Sequence, residues 1–114
     1  MILLRFGLRA GMLMIYAVHE NGAETHVTLT GSLGFFDLDT VKTMLADVAK
    51  TAGERVVLDL KGVKRVRISS LAILSIVDDR LSACGRRMVV ANPPRGMPEI
   101  ARASETSSAL VFAA

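Results

Sequence analysis

The stretch RVVLDL at residues 55–60 constrains this chain more than any other. It is short, β-branched and nearly continuous in apolar residues, the pattern of a strand covered on both faces. Both of its flanks carry a helical period instead. Upstream, Val41, Leu45 and Val48 fall on one face of a helix that Asp37 or Asp39 can cap and that ends near Gly53. Downstream, Leu71, Leu74, Val77 and Leu81 recur at helical spacing from about Ser70 to Cys84. Ser69 or Ser70 stands at the N-cap of that second helix, and Gly85 is placed to end it.

The remaining segments complete an alternating pattern. LMIYAVH at 13–19 and THVTLT at 25–30 read as strands joined by a turn at Asn21-Gly22. RMVVAN at 87–92 is the next strand and Pro93-Pro94 stops it, a short helix follows at roughly 95–103, and ALVFAA reads as a last strand. Strands alternating with helices predict an α/β fold, a mixed sheet of four to five strands with helices packed on it. A chain of 114 residues, half of them hydrophobic, is expected to be one domain with its own core. That domain is read as residues 13–114, preceded by an N-terminal extension at 1–12.

The extension, with its apolar residues interrupted by Arg5 and Arg9, lacks the basic start and the cleavage site of a signal peptide. No apolar run approaches the roughly 18 residues a membrane helix needs, so no membrane insertion is expected. Cys84 is the single cysteine, which excludes a disulfide framework within one chain and suits a reducing, cytoplasmic setting.

Charge is unevenly placed. Residues 1–53 carry four basic and five acidic side chains, whereas residues 54–114 carry ten and six. The excess gathers at Lys61, Lys64, Arg65 and Arg67 and again at Arg80, Arg86 and Arg87. No aromatic residue alternates with these clusters, so the stacking platform of a nucleic-acid binder is missing, and a solvated face is the expectation.

The search for chemistry returns no catalytic constellation, no phosphate-binding glycine loop and no metal or cofactor set. His19 and His26 lie in the first two predicted strands with no third ligand beside them. Cys84, near the negative end of a helix, is expected to be an inert core thiol. Asp78-Asp79 reads as a solvated helix edge.

What remains is the serine pair, Ser69-Ser70, at a helix start after a strand and loop. LTGSL before a helix, VVLDLKGV, the serine pair opening a helix, and G-x-x-MVVANP together resemble the STAS domain. That family includes anti-sigma factor antagonists and the cytoplasmic tails of sulphate transporters. The resemblance spans about residues 13–113. It implies a non-enzymatic regulatory module without cofactors that docks a protein partner, an anti-sigma factor or a serine kinase-like protein.

By the same resemblance, the family's phosphorylation loop falls on Ile68, Ser69, Ser70 and Leu71, with Ser69 as the modified serine. Gly31 and Leu33 match the family's Gly-x-Leu-Asp turn, so Gly34 stands where that turn is acidic. Ile68 likewise replaces an acidic residue, and the loop glycine is missing or displaced. Gly34, Arg65, Arg67, Ile68, Ser69, Ser70 and Leu71 are therefore the expected partner-binding residues, with Ser69 and Ser70 as phosphorylation sites. Two other readings stay open: a scaffold or assembly subunit that has lost the phosphoswitch, and an anion- or nucleotide-binding sensor. Leu3, Leu4, Phe6 and Leu8 are expected to meet apolar surface, across a homodimer formed through the extension.

Overall fold

In a computed structural model of the chain, residues 2–9, 12–32, 38–65, 68–104 and 109–113 are described. Strands β1 (Ile2–Arg9), β2 (Met12–Asn21) and β3 (Glu24–Ser32) run as successive antiparallel neighbours. Helix α1 (Leu38–Ala49) then leads to β4 (Arg55–Arg65), and α2 (Ile68–Ala83) to β5 (Arg87–Ala91). Helix α3 (Met97–Ala103) comes last. The five strands form one sheet in the order β1-β2-β3-β4-β5, with β3, β4 and β5 parallel. The expected mixed α/β sheet is present, with five strands.

Parallel crossovers are right-handed almost without exception. Two successive steps in one direction, β3-α1-β4 and β4-α2-β5, therefore lay both helices on the same face of the sheet. Burial agrees. Val18, Val27, Leu29, Val56, Leu58, Leu60, Met88 and Val90 alternate along their strands and share one core with Val41, Met44 and Val48 of α1 and Leu71, Leu74, Val77 and Leu81 of α2. Met97 and Ala101 of α3 join the same core.

RVVLDL is thus covered by helices on one face rather than two. Val57, on the other face, is only 8% exposed. It stands in register between His26 of β3 and Val89 of β5, and this central place in the sheet accounts for the apolar run.

Both chain ends depart from the expected boundaries. Residues 2–9, read from the sequence as an extension, form β1 and pair with β2 without a register shift, from Ile2↔His19 to Arg9↔Met12. The apolar contacts expected of Leu3, Leu4, Phe6 and Leu8 concern side chains outside the described residues. The last strand is reduced to a parallel bridge, Val90↔Phe112. In it the Val90 N–H donates to the Val111 carbonyl at 2.8 Å, and the Ala113 N–H donates to the Val90 carbonyl at 2.9 Å.

The end of α2 follows from Gly85, whose φ of 74° lies in the left-handed region. Its N–H donates to the Ser82 carbonyl at 3.0 Å while the Arg86 N–H reaches the Leu81 carbonyl at 2.9 Å. These are the two bonds of a Schellman cap. They fix where Arg86 leaves the helix.

Candidate docking site at the start of the second helix

Because β3 and β4 are parallel, their C-terminal ends reach the same edge of the sheet, where α1 and α2 begin. Ser32 stands opposite Arg65 there and Gly31 opposite Val63. The register slips twice on the way, between Thr28 and Thr30 and between Gly31 and Ser32. Gly62 lies at the first slip. A Cβ on it would sit 2.8 Å from Thr30 Oγ1 and 2.9 Å from the Leu29 carbonyl oxygen, so the two strands approach more closely than a side chain allows.

Strand β5 leaves the edge earlier, after the pair Asp59↔Ala91. Asp59 marks the departure: its Oδ1 accepts from the Lys61 N–H at 2.9 Å and from Asn92 Nδ2 at 3.1 Å. Asn92 itself has φ 49°, a conformation asparagine tolerates better than most residues.

Helix α2 begins at Ile68, so Ser69 and Ser70 lie within its first turn and not ahead of it as expected. Ser70 is 1% exposed and Leu71 is 1% exposed. Ser70, Leu74, Val77 and Leu81 follow one another at helical spacing on the inner face. Neither Ser70 nor Leu71 offers its side chain to a partner or a kinase while the helix is formed.

Ile68 and Ser69 occupy the first two positions of the helix, and Arg65 ends β4; the side chains of all three lie outside the described residues. Gly34 and Arg67 lie outside them altogether. No acidic residue occupies the first turn of α2. The positive end of its dipole is therefore not offset from within the helix, and Lys61, Lys64, Arg65 and Arg67 precede it along the chain.

The opposite ends of the parallel strands are closed by a polar network that sequence reasoning missed. Arg86 Nε donates to the Gly53 carbonyl at 2.6 Å and Nη1 to the Val48 carbonyl at 2.8 Å. Nη2 reaches Thr25 Oγ1 at 3.1 Å and Thr51 Oγ1 at 3.0 Å. Thr25 donates in turn to Thr51 at 2.8 Å, and Thr51 to the Val48 carbonyl at 2.6 Å. One guanidinium thus caps the Val48 carbonyl in the last turn of α1 and ties it to Gly53, to β3 and to the α2–β5 turn. From the sequence, Arg86 is expected in a solvated basic cluster; here its donors are turned inward. A second buried link, Tyr16 Oη to Asp47 Oδ2 at 2.8 Å, joins β2 to α1.

Two further expectations change. Cys84 is exposed, because it follows the last core residue, Leu81, where the chain turns away through Gly85. Asp79 is exposed, but Asp78 is partly buried and lines a cavity of about 660 Å³ with Arg55, Arg87 and Phe112. Burial first, and then the neighbouring Asp79, raise the Asp78 carboxyl above its ordinary pKa.

His19 and His26 are direct register partners, and His26 Nε2 lies 3.2 Å from Glu24 Oε1. Among the described residues no group of three or more His, Cys, Asp or Glu side chains is placed to hold a metal ion. No described helix is long and apolar enough to cross a membrane.

A family model described as "Mlab, STAS domain" matches residues 16–111. The chain belongs to the STAS domain family. Among solved structures, the anti-sigma factor antagonist SpoIIAA in its unphosphorylated form superposes with a TM-score of 0.60 at 14% identity, over 87% of this chain and 88% of that one. The crystal structure of Mglu gives a TM-score of 0.50 at 24% identity, over 68% of this chain but only 19% of Mglu. At these identities the likenesses speak for the STAS fold. No curated protein matches the chain in sequence.

Proposed function

We propose that this STAS domain is a non-enzymatic, cytoplasmic regulatory module of the anti-sigma factor antagonist kind. It docks an anti-sigma factor or serine kinase-like protein through the surface around the start of α2. The observation that carries the reading is the place of Ser69. It stands in the first turn of α2 at the edge shared by the ends of β3 and β4, one residue before the buried Ser70. SpoIIAA, which shares the fold, is an antagonist with a named unphosphorylated form. A phosphate on Ser69 would bring about two negative charges into the docking surface and oppose binding by repulsion and desolvation.

The basic run from Lys61 to Arg67 suits an acidic partner surface in the unmodified state. Ser70 carries no part of the switch, since its side chain is inside. Transcription regulation in a bacterium is the setting this reading implies, with neither nucleic acid nor membrane as a direct partner.

A second reading is favoured by Ile68 and Gly34, which stand where the family's phosphorylation site is acidic. A scaffold or assembly subunit of this family would need no switch and would keep the docking surface. A third, an anion- or nucleotide-binding sensor, would use the same basic helix start.

The deciding experiment incubates the protein with serine kinases of the anti-sigma type and ATP and reads intact mass, alongside partner binding by Ser69→Asp and Ser69→Ala. The switch predicts one added phosphate on the wild type and none on Ser69→Ala. It also predicts lost binding for Ser69→Asp and constitutive binding for Ser69→Ala. Equal partner affinity for wild type and both variants leaves the scaffold reading.

A further inference from the structure

The two outer edges of the sheet are treated differently. Beside β5, residues 111–113 bond to Val90. Beside β1 no further strand stands among the described residues. Proteins commonly guard such an edge with proline, charged residues, a bulge, a very short strand or a covering segment. Strand β1 is eight residues long, has neither proline nor lysine, and pairs with β2 without a bulge. Its only charges are Arg5 and Arg9.

Register fixes which residues share a face. Tyr16 and Val18 belong to the helix-covered core, so their partners Arg5 and Leu3, and with them Gly7 and Arg9, take positions on that side. Ile2, Leu4, Phe6 and Leu8 take positions on the helix-free side, beside His19, Ala17, Ile15 and Leu13. The alternation sorts β1 into an all-apolar set and a set holding both arginines.

We propose that β1 pairs antiparallel with β1 of a second copy about a two-fold axis at Phe6, so that one sheet runs through both protomers. A two-fold axis makes the contact isologous and closed. Directly opposite residues in a continuous sheet share a face, so the axis falls on a residue and not between two. An axis at Arg5 sets it opposite the partner's Arg5, and an axis at Gly7 sets Arg5 opposite the partner's Arg9; like charges so placed repel. An axis at Leu4 pairs only residues 2–6. The axis at Phe6 pairs residues 3–9, with Phe6 opposite the partner's Phe6 and Leu4 opposite the partner's Leu8. Arg5 then faces the partner's Gly7, and Leu3 faces the partner's Arg9. On the helix-free side apolar positions meet apolar positions, and on neither side does an arginine meet another.

Light scattering on the full chain is expected to give twice the protomer mass of 12.2 kDa; a protomer mass overturns the proposal. Phe6→Arg sets two like charges on the axis and is expected to give the protomer mass with an unchanged far-UV spectrum. A folded Phe6→Arg protein that keeps the double mass also overturns it. Should that variant not fold, crosslinking decides. In a Cys84→Ser background, Phe6→Cys is expected to form an intermolecular disulfide under mild oxidation, because opposed strand residues approach the spacing a disulfide spans. Arg5→Cys is expected not to. Crosslinking at Arg5→Cys as strong as at Phe6→Cys overturns the register, and crosslinking at neither overturns the contact.

Discussion

The two ends of the parallel strands are built differently. At their N-terminal ends, Arg86 spends its donors inside the molecule, on the Val48 and Gly53 carbonyls and on Thr25 and Thr51. The backbone closes around it, with the Arg87 N–H donating to the Glu54 carbonyl at 3.0 Å and Gly53 packed against the backbone of Glu24. At the C-terminal ends β5 has already left, β3 and β4 slip in register, and basic residues lead into a helix start with no acid in its first turn. The contrast shows that a count of basic residues along a sequence does not tell which of them, like Arg86, are built into the structure.

The comparison can be broken most forcefully at Arg86. Arg86→Ala removes four hydrogen bonds made by a charged group and leaves Thr25, Thr51 and the Val48 carbonyl only their bonds to one another, so a loss of roughly 2–4 kcal/mol is expected from urea unfolding. Arg86→Lys should recover only part of it, because an ammonium cannot reproduce the fork. An Arg86→Ala midpoint equal to wild type would show that the closed end is closed by something else.

A smaller effect is expected at the other end from Gly62→Ala. The new methyl would press on Thr30 Oγ1 and the Leu29 carbonyl, for a loss of about 1–3 kcal/mol. Partner capture should weaken more than this loss of folding explains, since the ends of β3 and β4 must shift apart. Unfolding and binding measured on the same preparation separate the two, and a stability loss with intact binding would detach Gly62 from the docking edge.

The smallest effect sharpens the comparison by pH. Burial and Asp79 raise the folded-state pKa of Asp78 above the 3.8 of an ordinary aspartate. Its favourable contribution is therefore present below that unfolded value and lost as pH rises through the folded one. At neutral pH the charged carboxylate is a net cost, so Asp78→Asn should melt higher than wild type at pH 7, and the gap should close in acid. A gap that does not change with pH would place the gain in the amide's own contacts.

Much of this architecture was legible because burial imposes a period. RVVLDL gave β4, the spacing of Val41 and Val48 gave α1, and that of Leu71, Leu74, Val77 and Leu81 gave α2. β1 falls in the expected extension although Leu4, Phe6 and Leu8 alternate with Arg5, Gly7 and Arg9, a period of two that is itself a strand signal. At the candidate site, the helix start was legible to within about two residues, the usual uncertainty of such boundaries. The inward turn of Ser70 was available from its spacing to Leu74, Val77 and Leu81. Arg86 was not legible. Its partners lie 33 to 61 positions away along the chain, and only the assembled sheet says which arginine meets the end of α1.

The Val90–Phe112 bridge sets a limit on growth. A chain whose two flanks could both accept a strand would polymerise head to tail, as fibre-forming sheets do. Here the flank beside β5 is occupied at its centre by the chain's own residues, so addition at β1 has no second site from which to propagate. Self-association of the proposed kind would therefore terminate at a pair, with the few residues around Phe112 as the stop.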